Sequence, residues 1–137
     1  MMVVDASIAI KWLMADEPDK ARALRILDAV ESTPQNFAVP ELFFNEVLAV
    51  LCQRTTASES TLRSLLWGIE QLGMVRIGNG HELLETAIHL ARLWSVSGYA
   101  AIYLATAEHL GGVWLTADRQ AARKVKKPGL VKVLGAV

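Results

Sequence analysis

The chain has 137 residues, 53% of them hydrophobic, which suits one compact domain over residues 1–137 that buries about two-thirds of its unfolded surface. Its 14 Lys and Arg balance 14 Asp and Glu, so no overall basic field draws it to nucleic acid and local patches would have to do so. A single cysteine, Cys52, excludes an internal disulfide; it lies in the apolar run 47–52 and is expected to be a buried free thiol in a reducing cytoplasm.

Met2, Val3 and Val4 form a short strand that ends on Asp5. Residues 8–14, apolar except Lys11, predict a helix with Ser7 as its cap. After Asp16-Glu17-Pro18-Asp19, a second helix carries Ala23, Leu24, Leu27 and Val30 at helical spacing, with Arg22, Arg25, Asp28 and Glu31 largely on the other side. Phe37-Ala38-Val39 is a strand stopped by Pro40, which opens a helix with Glu41 in its first turn, running to about Arg54. Ser58 begins another helix, with Leu62, Leu65, Leu66, Ile69 and Leu72 as apolar positions and Gly73 as its end. Residues 74–77 read as a strand.

Past the Gly78-Asn79-Gly80 turn, a helix from about His81 to Trp94 aligns Leu84, Ala87, Ile88 and Ala91 on one face. Ser97-Gly98 separates it from an alanine-rich helix over 99–110, closed by Gly111-Gly112. Residues 113–116 form a strand, Asp118 starts a short basic helix, and residues 130–134 form a last strand at a sheet edge. Strands alternating with helices predict an α/β domain of three layers, α/β/α, around a largely parallel sheet of about five strands. The apolar start lacks a basic leader, and no run approaches the roughly 18 apolar residues of a membrane span, so a soluble cytoplasmic protein is expected.

In an open parallel sheet, chemistry gathers at the carboxyl ends of the strands. Asp5 ends the first strand there. Alone, it would be read as a helix cap. Asp118 repeats the arrangement after a second strand. Glu46 has Leu42, Phe43, Ala49 and Val50 as its helical neighbours, and a carboxylate on so apolar a face needs a cation, a donor network or a raised pKa. A salt bridge to Arg54 or Arg119 is as good a reading of Glu46 as a functional one. If the two strands are neighbours, Asp5, Glu46 and Asp118 converge, and three carboxylates in one cleft call for a hard divalent cation, Mg²⁺ or Mn²⁺. Such a site suits phosphodiester hydrolysis. Thr116 and Ser7 hydroxyls could steady a ligand, or serve only as a strand end and a cap.

Val3-Val4-Asp5-Ala6-Ser7, Pro40-Glu41-Leu42 leading to Glu46-Val47, the run from Gly98 to Ala105, and Leu115-Thr116-Ala117-Asp118-Arg119 together resemble a PIN domain, with VapC-type toxins as the nearest likeness. The resemblance covers nearly the whole chain in motif order and spacing. It implies a metal-dependent endoribonuclease paired with a small VapB-like antitoxin, with Asp5, Glu46 and Asp118 in the acidic cluster and Thr116 as the accompanying hydroxyl. One position departs: where the family has Tyr-Asp-Ala, this chain has Tyr99-Ala100-Ala101. An acidic ligand is therefore missing at Ala100, which should weaken metal binding and turnover without disturbing the fold, because alanine is a good helix former. Two origins are open, a degenerate natural member or a deliberate Asp→Ala change, and the otherwise intact motif favours the second.

Other signals are weaker. His81-Glu82-Leu83-Leu84-Glu85 lacks the second histidine of a zinc-protease helix, and Gly78-Asn79-Gly80 lacks the third glycine of a dinucleotide fingerprint. Trp12, Trp67, Trp94 and Trp114 sit in apolar patterns and read as core or interface packing. Arg119, Arg123 and Lys124, with Lys126 and Lys127, follow Asp118 directly and could guide an RNA backbone to the acids, or simply form a solvated face. Apolar residues on the helices at 21–30 and 62–72 exceed what a small sheet needs, which predicts a homodimer with an antitoxin helix in a groove. The rival readings are an inactive PIN-like module that binds RNA or antitoxin, and a receiver-like signalling domain. The receiver reading is disfavoured because Asp5 has no acidic neighbour.

Overall fold

Val3 and Val4 are completely buried, because the strand they form lies at the centre of a sheet covered on both faces. A computed structural model describes residues 1–135. In chain order the elements are β1 (Met2–Val4), α1 (Ala6–Leu13), α2 (Lys20–Ser32), β2 (Phe37–Pro40), α3 (Glu41–Arg54), α4 (Glu59–Glu70), β3 (Val75–Ile77), α5 (His81–Trp94), α6 (Gly98–Leu110), β4 (Val113–Thr116), α7 (Arg119–Lys124) and β5 (Val131–Val133). A single 3-10 turn, Pro34–Asn36, leads into β2.

The strands pair in the order β3-β2-β1-β4-β5, every pair parallel, which is the α/β arrangement expected from alternating strands and helices. The chain builds outward from β1 to β3, then returns to lay β4 and β5 on the other side. Strand order therefore reverses between β1 and β4, where a parallel sheet opens a crevice at its carboxyl edge. Val4 is in register with Leu115, and the Asp5 amide donates to the Leu115 carbonyl at 2.9 Å. Residues leaving β1 and β4 thus emerge side by side.

Helix α6 is the interior helix. Ala101, Tyr103, Leu104, Ala105, Thr106 and Ala107 are all buried, and the run of small side chains lets the helix press against the Trp114 face of the sheet. Helix α2 lies over the opposite face, which carries Leu115 and Lys132. Lys11, the one charge in the first apolar run, is buried with its Nζ donating to the Pro18 carbonyl at 2.8 Å.

Several local expectations change. The cap of α1 is Asp5, whose side chain accepts from the Ser7 amide, while Ser7 sits inside the helix. Helix α6 starts at Gly98, one residue early, because the Ser97 hydroxyl caps it. Helix α4 stops at Glu70, before Gly73, whose φ of +84° makes the turn that follows.

Cys52 is exposed rather than buried: the inward stripe of α3 is Phe43, Val47 and Leu51, and the next residue turns about 100° away. On α5 the buried residues are Leu83, Ala87 and Leu90, so the apolar stripe is wider than the core can use and Ile88 is left 67% exposed. Trp67 on α4 is likewise 61% exposed. No helix among the described residues is long and apolar enough to cross a membrane.

Candidate functional site

Asp5 follows β1 without an intervening residue, so its carboxylate is held at the mouth of the β1–β4 crevice. Oδ2 accepts from the Ser7 amide at 3.0 Å and Oδ1 from the Trp114 indole N–H at 3.1 Å. Burial pushes the Asp5 pKa up, and the donors at Ser7, Trp114 and Thr116 only partly oppose it.

Glu46 reaches the same crevice from α3. Its Oε1 accepts from the Tyr103 hydroxyl at 2.7 Å, and the Ala6 amide donates to the same hydroxyl oxygen at 3.2 Å. Burial raises the Glu46 pKa, the Tyr103 hydrogen bond lowers it, and the negative charge of Asp5 raises it again. The ion-pair reading therefore fails: Arg54 pairs with Glu17 at 3.5 Å, and among the described residues no Lys or Arg pairs with Glu46 or Asp5. Glu41 is occupied elsewhere, bonded to Arg76 at 2.9 Å.

Tyr103 and Trp114 are the site residues that sequence reasoning passed over. Their rings stack with centroids 5.9 Å apart and planes inclined by 21°, and each directs one polar hydrogen at one carboxylate. Burial and the nearby charges of Asp5 and Glu46 hold the phenol pKa far above its ordinary value, so Tyr103 remains a donor. A signal was present: a tyrosine on the buried face of an interior helix must find a partner for its hydroxyl.

Asp118 is placed differently. Ala117 intervenes between it and β4, and its Oδ1 caps α7 by accepting from the Ala121 amide at 3.0 Å. The buried Thr116 hydroxyl accepts from the Asp118 amide at 3.0 Å, while the Ser7 hydroxyl accepts from the Ala117 amide at 3.0 Å and ties the two strand exits together. Among the described residues no three His, Cys, Asp or Glu side chains gather closely enough to hold a metal ion. The structure thus brings Asp5 and Glu46 together and leaves Asp118 on the exposed rim.

Ala100 lies in the first turn of α6, one turn before Tyr103 and on the same side of the helix. Its methyl group packs partly against the core and offers no oxygen. Two desolvated carboxylates that repel one another, with no Lys or Arg paired to either among the described residues, are nonetheless a donor set that a hard divalent ion would relieve, and Mg²⁺ accepts as few as one or two protein carboxylates when waters complete its shell. The residues present fit such an ion, with one side of the site unfilled.

Of the basic residues predicted to meet RNA, Lys124 donates to the Ser95 carbonyl at 3.3 Å, the Arg123 carbonyl accepts from Lys126 at 3.3 Å, and Arg119 extends toward the turn after β5.

A sequence model of the PIN domain matches residues 2–127 of the chain. Among solved structures, a toxin–antitoxin complex from Klebsiella pneumoniae is similar over 100% of both chains with a TM-score of 0.74 and 17% identity. FitAB bound to an IR36 DNA fragment is similar over 100% of this chain and 97% of that one, with a TM-score of 0.78 and 12% identity. Mycobacterium tuberculosis VapC20, described as a sarcin-ricin loop cleaving toxin, is similar over 93% and 98%, with a TM-score of 0.70 and 17% identity. Among curated protein sequences none matches.

Proposed function

Because the chain belongs to the PIN domain family, we propose that it is the endoribonuclease toxin of a toxin–antitoxin pair, impaired by the alanine at position 100. The observation that carries this reading is the facing pair Asp5 and Glu46 at the point where strand order reverses, both desolvated and neither paired with a basic residue. Asp5 and Glu46 would hold Mg²⁺ or Mn²⁺, and Asp118 completes the acidic set at the rim on a turn that Thr116 secures. When bound, the ion acidifies water and neutralises charge developing on the phosphate.

The chain's own part is positional. Trp114 and the Ser7 amide fix the two oxygens of Asp5, and Tyr103 fixes Glu46, so neither carboxylate has to be ordered when RNA arrives. Arg119, Arg123 and Lys124 guide the phosphate backbone towards the crevice. The likeness to structures of toxin–antitoxin complexes supports an antitoxin partner, and two uncovered apolar surfaces suit two kinds of contact. Leu48, Leu51, Leu62 and Leu66 line a groove between α3 and α4, bordered by Glu59 and Arg63, which fits an amphipathic antitoxin helix. Leu84, Ile88, Tyr99 and Ile102 on α5 and α6 form a wholly apolar face, which fits a second copy in a homodimer.

The second reading is a PIN-like module that binds RNA or antitoxin without cutting, favoured by Ala100 and the lack of a three-carboxylate cluster among the described residues. Comparing the chain with its Ala100→Asp variant for Mg²⁺- or Mn²⁺-dependent RNA cleavage separates the two. The nuclease reading expects cleavage to rise by at least the roughly 10–100-fold that even the outer-shell partners of a metal site contribute. It fails if the variant neither cuts RNA nor binds metal.

A further inference from the structure

A second charged group lies apart from the acids, along the opposite side of β4. A concavity of about 240 Å³ runs between α2 and edge strand β5, lined by Arg22 and Arg25 from the helix and by Lys132 and Gly135 from the strand and the turn beyond it. At the top of this channel two guanidinium groups converge. A Cβ placed on Gly135 would lie 3.4 Å from Arg22 Nη1, 3.4 Å from Asp19 Oδ2 and 3.5 Å from Arg119 Nη2, so one carboxylate sits beside the two guanidiniums. Gly135 has a φ of +78°, so the turn that brings Arg22 and Arg119 together uses backbone that few side chains tolerate.

The Asp19 carboxylate offsets part of the repulsion between these guanidiniums, one negative charge against two positive ones. Within the described residues Arg22 is paired with Asp19 at 2.7 Å, whereas Arg25, Arg119 and Lys132 make no ion pair with a side chain. Three cations without a side-chain ion pair among the described residues thus flank the Arg22–Asp19 pair and its concavity, in a protein whose net charge is zero. The channel lies on the sheet face opposite Trp114 and meets the acidic crevice only at the carboxyl edge of the sheet. Leu134 donates its amide to the Thr116 carbonyl at 2.8 Å, so Gly135 leaves the sheet at the same carboxyl edge as Asp5, with β4 between them. Two strand spacings, about 10 Å, separate the exits of β1 and β5.

We propose that Arg22, Arg25, Arg119 and Lys132 form a binding track for the phosphodiester backbone of single-stranded RNA, which enters along β5 and delivers the scissile bond to the Asp5–Glu46 crevice. This rests on the ribonuclease reading above and shifts the main RNA contact from the face of α7 to the α2–β5 channel, with Arg119 shared by both. An extended, uniformly charged backbone fits a row of cations beside an edge strand, because it needs no base-specific pocket.

The test uses the chain as it stands, whose alanine at position 100 lets binding be measured without turnover. A fluorescent single-stranded RNA of about twelve nucleotides is titrated in EDTA at several salt concentrations, against the parent, Arg25→Ala, Lys132→Ala, the double variant, and Arg92→Ala as a control on α5. Arg25 and Lys132 are exposed, and thermal melts monitor folding. The double variant should bind roughly tenfold more weakly, and the slope of log K against log salt should fall by about 0.7 for each cation removed. Arg92→Ala should match the parent.

Unchanged affinity and slope in the double variant overturn the track. They do so even if that variant loses affinity for an acidic antitoxin segment, which would assign the cations to the protein partner. The two readings fail separately: a triple variant that adds Ala100→Asp and cuts RNA with unchanged KM retains the nuclease and removes the track. An Ala100→Asp chain that cuts nothing, with RNA binding still dependent on Arg25 and Lys132, retains the track and removes the nuclease.

Discussion

Two strand ends in this molecule share one sequence pattern, strand, acid, helix, and come to different states. Asp5 and Asp118 both cap the helix that follows, each accepting a backbone amide at 3.0 Å. Asp5 comes directly off the central strand, keeps its ladder hydrogen bond to Leu115, and is held in the crevice under Trp114. Asp118 comes one residue later, after Ala117, and that single residue carries it out to solvent over α7. A helix cap and an active-site acid are therefore compatible roles for one carboxylate, and distance from the strand end decides how much water the acid keeps. Neighbours add the rest, since Asp5 faces Glu46 whereas Asp118 faces the first turn of a six-residue helix.

The comparison is broken most sharply by replacing each acid in the Ala100→Asp chain. Asp5→Ala should reduce RNA cleavage by about a hundredfold or more, while Asp118→Ala should cost distinctly less. Both should lose about 1 kcal/mol of stability through the missing cap, measured by urea denaturation. Equal losses of activity would mean that the exposed rim position matters as much as the buried one.

A smaller effect is expected at Tyr103. Tyr103→Phe keeps the ring on Trp114 but leaves the Ala6 amide without its acceptor and Glu46 without its donor, so stability should fall by about 1–3 kcal/mol. Urea midpoints check this, and an unchanged midpoint would mean that water replaces the hydroxyl at no cost.

The smallest effect concerns pH. Burial first, then the charge of Asp5, raises the Glu46 pKa in the folded state. A raised acid favours folding while it is protonated and loses that contribution as pH climbs through its folded pKa. In EDTA, Glu46→Gln should therefore match the parent below the ordinary carboxylate range and become more stable above it. Because Glu46 is partly exposed, the gain stays below about 1 kcal/mol. Thermal melts across pH 4–8 should show the two curves diverging upward; parallel curves would remove the repulsion from the account.

Much of this was legible because hydrophobic period and punctuation agree with the fold. Pro40, Ser58, Gly80 and Gly111 mark boundaries that the structure keeps, and Asp5 follows its strand directly as read, whereas one residue separates Asp118 from β4. The failures have common causes. Cys52 looked buried inside an apolar run, but a helix turns 100° per residue and a run does not say which side faces in. The α5 stripe of Leu84, Ala87, Ile88 and Ala91 lies on one face as read, yet half of it faces solvent, because periodicity reports apolar character and not what covers it. Ser7 looked like the cap because the apolar run starts at Ile8, whereas the helix begins at Ala6 and Asp5 caps it. Tyr103 and Trp114 were hidden by their own apolar context: the pattern that marked them as core concealed the single polar hydrogen that each one contributes.

The central claim is that Asp5 and Glu46 form a cation-facing pair from which position 100 has lost its oxygen ligand. Titrating Mn²⁺ by calorimetry into the parent chain, the Ala100→Asp variant and the Ala100→Asp/Asp5→Asn double variant tests it without reference to RNA. Ala100→Asp should tighten Mn²⁺ binding by at least about tenfold, and adding Asp5→Asn should remove the gain. Equal affinity in all three chains would contradict the claim.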